Sequence, residues 1–293
     1  MPESNRTITA DPRVRCHTVW VSGRLVVLGS CGAWPEPGRA CSGFVLEYGG
    51  ARIVIDLGYG TLPRLLTLLG SSSADGIDAV IVTHAHPDHL VDLHGLLRAR
   101  WYPRRSAAPI PLHAPEPVLA RLISLEDDGA DVVRGAFDWH PLPAPPRQIG
   151  PLRLESMSLP HYLPNAGVRL SAPGLAVAYT GDTGMDPGLA ELGRGADLYI
   201  VDATDRWQRP AAPAAPAAAQ GPALNLTARE AGQAAAAAGA RRLLLTHFWP
   251  DNDRQASRAA AAAVFGGEVL IAEEGLEVQL GPAGPAGRQG PAG

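Results

Sequence analysis

The stretch Thr83-His84-Ala85-His86-Pro87-Asp88-His89-Leu90 decides the fold. It follows Ala79-Val80-Ile81-Val82, an apolar, β-prone run. It leads into Leu90, Leu93, Leu96 and Leu97, which are spaced for one face of a helix. Three imidazoles and one carboxylate therefore sit on a turn between a strand end and a helix start. On an extended segment His84 and His86 point the same way, and a tight turn can aim Asp88 and His89 at a second point nearby. Imidazole and carboxylate donors suit borderline divalent metals, zinc first. The competing reading is a histidine-rich surface loop, and the residues that decide between the two lie downstream.

Other strands end in the same chemistry. Residues 152–159 have strand character and end at Pro160-His161. Leu175-Ala176-Val177-Ala178-Tyr179-Thr180 ends at Gly181-Asp182-Thr183-Gly184, Leu198-Tyr199-Ile200-Val201 at Asp202-Ala203-Thr204, and Leu243-Leu244-Leu245-Thr246 at His247. A lone His or Asp after a strand is usually a turn residue. Together, His84, His86, His89, His161 and His247 with Asp88 and Asp182 suffice for two ions with shared ligands, if the strand ends meet along one edge of a sheet sandwich.

The rest of the chain supplies such a sandwich. Arg24-Leu25-Val26-Val27-Leu28 reads as a first strand, and a Gly- and Pro-rich loop spans 29–42. Two alternating runs then flank Gly49-Gly50 as a hairpin, the second ending at Asp56. Asp56 is either a turn former or an acceptor that orients a ligand histidine or its loop. Residues 62–69 read as a helix ended by Gly70. Trp101-Tyr102 close the helix after the histidine run, as a pocket wall or as aromatic core. A strand at 109–113 and a helix at 116–125 follow, while 127–148 has no clear pattern. His94, His113 and His140 lack companion ligands and are expected in packing or surface roles. Thr227-Ala228-Arg229-Glu230 has capping-box spacing at the start of an Ala-rich helix that ends at Gly239. A helix over 253–265 and strands at 269–272 and 276–280 complete the alternation.

Composition narrows the class. A chain of 293 residues can bury a substantial core. With 25 basic and 29 acidic residues its net charge is −4, which argues against gripping nucleic acid by bulk charge. No apolar run approaches the roughly 20 residues of a membrane span, and the polar N-terminus has no signal-peptide core. The expectation is a cytoplasmic protein without membrane contact. Cys16, Cys31 and Cys41 have no CxxC spacing and read as reduced structural thiols. Residues 1–16 read as a disordered tail, 17–280 as the folded domain, the Pro/Ala-rich 209–223 as a mobile loop within it, and the Gly-Pro-Ala repeats of 281–293 as a second disordered tail.

On these motifs the chain resembles the metallo-β-lactamase-fold hydrolases over about residues 24–280, because the HxHxDH run and the later landmarks come in that family's order. The resemblance implies an α/β fold of αββα type, two mixed sheets flanked by helices, with the site at one sheet edge. It implies that His84, His86 and His161 hold one metal, that Asp88, His89 and His247 hold the other, and that Asp182 bridges them. The implied cofactor is a pair of divalent ions, Zn2+ by default and Mn2+ or Fe as alternatives, with a hydroxide between them as nucleophile. Asp88 could also orient that nucleophile or accept its proton.

Tyr179-Thr180-Gly181-Asp182-Thr183-Gly184, Val201-Asp202-Ala203-Thr204 and Asn225-Leu226-Thr227 resemble the ribonuclease Z-like branch, which includes tRNA 3′-end nucleases and smaller cyclic-nucleotide phosphodiesterases. That branch usually pairs a Glu with a proton-donating His, where this chain has Asp202 and Asn225. Asn225 can donate a hydrogen bond but cannot supply a proton. The tRNA-processing members carry a long arm between the third histidine and the bridging aspartate, and the interval from His161 to Asp182 is too short for one. A small phosphodiester such as a cyclic nucleotide is thus expected over tRNA. The alternatives are hydrolysis of a lactone, thioester or β-lactam on the same centre, and a non-catalytic metal-binding protein. By connectivity Tyr162, Asn165 and Trp249 are expected to face the substrate, Asp202 to stand behind the site, and Arg169 to meet an anion or a salt-bridge partner. A homodimer is left open.

Overall fold

The computed structural model describes residues 23–103, 108–127, 129–205, 208 and 224–281. Cys16, the tail expected over 1–16, the loop expected over 209–223 and all but the first residue of the tail expected over 281–293 lie outside them.

Period-two alternation builds the first sheet. In β1 (Gly23–Gly29) Leu25 and Val27 face one side, and Val26 and Leu28 the other. The strand pairs antiparallel with β2 (Gly43–Tyr48), which pairs with β3 (Ala51–Leu57) through the Gly49-Gly50 turn. After α1 (Thr61–Leu69), β4 (Ala79–Ile81) lies parallel to β3. The histidine run then enters α2 (Pro87–Trp101), with Pro87 in its first turn, where a missing N–H costs nothing. Beyond it come β5 (Ile110–Ala114), α3 (Glu116–Ser124), α4 (Ala130–Ala136) and β6 (Phe137–Pro141). The stretch without a clear sequence pattern thus contains α4, β6 and also β7 (Arg147–Ile149), elements too short to show a period.

The second sheet continues with β8 (Leu152–Leu159), β9 (Asn165–Ala172), β10 (Leu175–Tyr179), α5 (Gly188–Leu192), β11 (Leu198–Asp202), α6 (Ala228–Ala238), β12 (Arg242–Thr246), α7 (Arg254–Ala262) and β13 (Glu268–Ile271). The last strand, β14 (Glu277–Leu280), returns to the edge of the first sheet against β1. Thr227 and Glu230 form the expected capping box at the start of α6, a device worth about 1 kcal/mol.

Among the described residues each sheet has seven strands, ordered β14-β1-β2-β3-β4-β5-β6 and β13-β12-β11-β10-β9-β8-β7. Both mix parallel and antiparallel pairs. One apolar cluster fills the space between them, with Leu25, Phe44 and Ile55 meeting Val168, Val177 and Leu244. A second buries Leu65, Leu93, Leu97, Val118 and Val132 of the first four helices on the first sheet. A third buries Ala231, Ala235, Ala238 and Ala261 on the second. The order of layers is α, β, β, α, as expected. Among the described residues no helix is long and apolar enough to cross a membrane.

β3 and β4 run parallel, as do β10, β11 and β12, while β8 is antiparallel to a strand that is itself antiparallel to β10. The C-terminal ends within each sheet therefore share an edge. Backbone bonds tie the two edges together: Ala166 N–H donates to Thr83 O at 3.0 Å, and Phe248 N–H to Ser30 O at 3.0 Å.

Away from that edge, His113 of β5 stacks on His140 of β6 with ring centroids 4.9 Å apart. Burial, with the charges of His140 and Arg147, pushes the His113 imidazole down to about 4. An unfolded imidazole titrates near 6.5, so between the two values the unfolded chain binds more protons. This contribution to stability is complete above about pH 6.5 and falls as pH drops toward about 4, by up to roughly 1 kcal/mol per pH unit. Urea unfolding over that range should show the slope, and His113→Phe should flatten it. An unchanged slope in the variant would assign the acid sensitivity to other groups.

Candidate metal centre

All seven expected donors converge at the shared edge. Ligand atoms of His84, His86, His161 and Asp182 lie within 4.8 Å of one another, and so do those of Asp88, His89, Asp182 and His247. Asp182 belongs to both groups. It follows Gly181, whose φ of 59° places it in the left-handed region. A Cβ on Gly181 would lie 2.4 Å from Asn165 Oδ1 and 2.8 Å from Thr83 Cβ, so the turn that presents Asp182 needs glycine.

The imidazoles are fixed from behind. His84 Nδ1 is 3.1 Å from Thr83 Oγ1, His89 Nδ1 2.7 Å from Asp56 Oδ2, His161 Nδ1 2.8 Å from Leu224 O, and His247 Nδ1 2.8 Å from Thr204 Oγ1. Each partner can accept, so each ring carries its proton on Nδ1 and turns a bare Nε2 inward. His86 instead presents Nδ1, which lies 3.0 Å from both His84 Nε2 and His161 Nε2. Three nitrogen lone pairs that close together repel one another unless a cation sits among them. In the second group His89 Nε2 and Asp182 Oδ1 are buried without a hydrogen-bond partner, although they approach to 3.2 Å. A buried polar atom left unpaired costs about 1–3 kcal/mol, so this donor set fits divalent ions.

The electrostatics of the two groups differ. Burial and the neighbouring imidazoles, His89 foremost, push His84 far down, and burial with His161 lowers His86. Burial also opposes charge on His89 and His247. There the carboxylates outweigh it: Asp182, Asp56 and Asp88 hold His89 up to about 10, and Asp182, Asp202 and Asp88 hold His247 well above its ordinary value. Asp182 and Asp88 are held well below the usual carboxylate range by these imidazoles, against burial. The second group therefore demands positive charge. A divalent ion among these donors would meet that demand.

Asp56 lies behind His89 as a hydrogen-bond acceptor. It is next to last in β3 with φ 55°, is fully buried, and takes bonds from Thr83 N–H at 2.8 Å, from the Thr83 hydroxyl, from His89 and from Tyr179 OH at 3.0 Å. Asp202 accepts from Thr204 N–H and Oγ1–H, from Leu226 N–H at 3.2 Å and from Asn225 Nδ2 at 3.0 Å. The same Asn225 amide lies 3.4 Å from Asp182 Oδ2. Ala33 N–H donates to Asp88 Oδ2 at 2.6 Å.

The residues expected to face substrate divide. Tyr162 is 56% exposed, its ring 5.2 Å from that of His161. Trp249 is half-buried, with its ring 5.0 Å from that of Trp34. Asn165 corrects the reading made from connectivity. It is 3% exposed and its amide donates to Thr180 O, because β9 carries it inward beneath the Gly181 turn. Arg169 donates to Leu192 O and meets no carboxylate in that bond. Trp101 packs among the helices against Gly135, away from the edge. His94 bonds Glu126, and with His113 and His140 it stands outside both donor groups. Cys31 and Cys41 are free, buried thiols. Thr83, Thr204, Tyr179 and the Ala33 amide escaped the sequence reading. Only Thr83 and Thr204 left a trace there, as hydroxyls one or two positions from a strand-end His or Asp.

Thr204 is the sharpest test of this backing. Thr204→Val removes the acceptor of His247 and should weaken zinc at one of two sites about 10–100-fold. Chelator competition reads this directly, and unchanged affinity at both sites would show that the hydroxyl does not set the His247 tautomer.

Residues 40–248 match the family described as Beta-lactamase superfamily domain. An uncharacterized protein of Mycobacterium tuberculosis is 34% identical over 280 residues, covering 90% of this chain and 96% of that protein. A ribonuclease Z of Kineococcus radiotolerans is 30% identical over 296 residues, covering 84% and 91%. The crystal structure of the metallo-beta-lactamase fold protein YhfI from Bacillus subtilis superposes with a TM-score of 0.73 at 25% identity, over 88% of this chain and 99% of that one. Family match, relatives and donor set agree: the chain belongs to the beta-lactamase superfamily and is a metallo-hydrolase.

Proposed function

We propose that the chain is a phosphodiesterase that uses two divalent ions, most naturally zinc, on a small phosphodiester such as a cyclic nucleotide. The observation that carries this reading is the Asp202–Asn225–Asp182 array. One N–H of the Asn225 amide anchors on Asp202 at 3.0 Å, and the contact to Asp182 is long at 3.4 Å. A phosphate oxygen can replace that long contact, so Asn225 holds a donor beside the donor cluster.

Ions held by the two donor groups would supply Lewis acidity toward a phosphoryl oxygen and would lower the pKa of water to near 7. The chain's own residues do the rest. Asp88, held ionised by His89 and His247 and tethered by Ala33 N–H, orients the attacking water. Asn225 binds a phosphoryl or leaving oxygen without giving it a proton. Tyr162 and Trp249 meet the remainder of the substrate. Turnover then depends on a leaving group that departs without general-acid help, which is worth typically 10²–10⁴-fold.

A small substrate is supported by the hairpin of β9 and β10, which occupies the interval where a tRNA-gripping arm would be inserted. The net charge of −4 points the same way. The Kineococcus relative carries the name ribonuclease Z, so tRNA is kept as a control substrate. Because Asn225 cannot protonate a leaving group, carbonyl hydrolysis of a lactone or thioester is the second reading.

Zinc-loaded protein should hydrolyse bis(p-nitrophenyl) phosphate and 3′,5′-cyclic AMP faster than a lactone, a thioester or a tRNA precursor, and Asp182→Ala should abolish the activity. Turnover of the lactone or thioester alone would reverse the order of the two readings. Asn225→His should raise kcat roughly tenfold or more on diesters with poor leaving groups and little on nitrophenyl esters. Equal rates for variant and parent on both would show that a proton donor at this position is not limiting.

A further inference from the structure

Among the described residues the exposed large hydrophobic side chains include Tyr102 and Leu125, which follow α2 and α3, and four others that adjoin the donor groups in the chain. Trp34 is 47% exposed, Tyr162 56%, Met185 51% and Tyr59 36%, and each stands within three positions of a metal-ligand candidate or of a residue that touches one. Tyr162 follows His161, and Met185 comes shortly after Asp182. Tyr59 follows Gly58, whose Cα packs on the backbone of Asp88 so closely that a Cβ would lie 1.9 Å from Asp88 O. Trp34 follows Ala33, the residue whose N–H donates to Asp88 Oδ2. Scattered single hydrophobics on a surface need no explanation, but exposed aromatics that adjoin a donor cluster in the chain call for one.

Trp34 is the best placed of the four. The loop that carries it is pressed against the donor cluster. A Cβ on Gly32 would lie 2.6 Å from His247 Cε1 and Nδ1, and Gly32 N–H donates to Phe248 O at 2.9 Å. Ala33 has φ 62°, and Trp34 N–H turns back to Gly32 O at 2.8 Å. This turn sets Trp34 directly after the amide that bonds Asp88, in a loop packed on His247. There it meets Trp249 edge to face, with centroids 5.0 Å apart and planes at 80°. Trp249 thus fixes the orientation of Trp34 and leaves nearly half of that side chain open. Tyr162 stands beside the other donor group, edge on to His161.

We propose that Trp34, braced by Trp249, is a stacking platform for a purine or pyrimidine base, and that the phosphodiester bound between the donor groups therefore carries one. The inference rests on the phosphodiesterase reading and narrows its substrate class. A flat π face held rigidly at its edge suits a base, since base–aromatic stacking is sequence-tolerant and needs no hydrogen-bond code. An acyl chain would need apolar area alone, and any Leu or Ile in place of the indole would supply that.

Three variants and two diesters decide the matter. On 3′,5′-cyclic AMP, Trp34→Ala and Trp34→Leu should each raise KM roughly tenfold to a hundredfold, with kcat nearly unchanged, and Trp34→Phe should recover most of the loss. On the 3′,5′-cyclic phosphate of 1-O-methylribose, which has no base, all three should match the parent. Equal losses on both diesters, no loss on either, or full rescue by Trp34→Leu would each overturn the platform. Fluorescence titration with adenosine monophosphate reads the same contact without turnover: the parent should quench, ribose 5-phosphate should not quench it, and Trp34→Phe should remove most of the signal. If neither diester is hydrolysed, the phosphodiesterase reading fails, while the titration still upholds or overturns base stacking by itself.

Discussion

The buried carboxylate of Asp56 is the constraint on which the site depends. A fully buried carboxylate is costly unless every lone pair is met, and here the donors come from three directions. Thr83 of the histidine run, His89 at the start of α2 and Tyr179 at the end of β10 all bond it. Tyr179 belongs to the opposite sheet, so this residue near the end of β3 also locks the two halves of the sandwich together at the edge where the metal donors lie. The left-handed backbone at Asp56 is tolerated because these bonds over-determine it. His247 and Ala33 show the same pattern of strain at the same edge, with φ of 58° and 62°.

Behind the donors stands a layer of hydroxyls and carbonyls. Thr83, Thr204 and the Leu224 carbonyl take the Nδ1 protons, and Asp202 takes the Thr204 hydroxyl and the Asn225 amide. Asp202 thus reaches the second donor group by two routes, through Thr204 to His247 and through Asn225 to Asp182. The Asn225 amide makes this connection by hydrogen bonds alone and has no proton to give away.

Much of this was legible in the sequence because strand ends are punctuated. Apolar runs that stop at His or Asp declare both a strand and what its end presents, so the seven donors, Asp56 and the order of layers could be inferred before any coordinates. Asn165 could not be placed, because following a ligand in sequence says nothing about which way a strand turns its first side chain. Thr204 and Tyr179 act across the sheets, and such contacts leave no periodic trace. The segment holding α4, β6 and β7 has elements of seven residues or fewer, too short for amphipathic spacing to emerge. Trp34 lay in a loop whose glycines and prolines signal turns without saying which side chain they lift into the open.

The donors come from both sheets: His84, His86, Asp88 and His89 from the first, His161, Asp182 and His247 from the second. An ion bound by either group would therefore act as a staple between sheets, closing the chain segment from His84 to Asp182 or from Asp88 to His247 without a covalent bond. Its binding free energy is shared with folding, and its chain-entropy effect grows with the length of the loop it closes. The same atoms that would activate water also fasten the sandwich at its open edge, so chemistry and mechanical cohesion in this chain draw on one set of bonds.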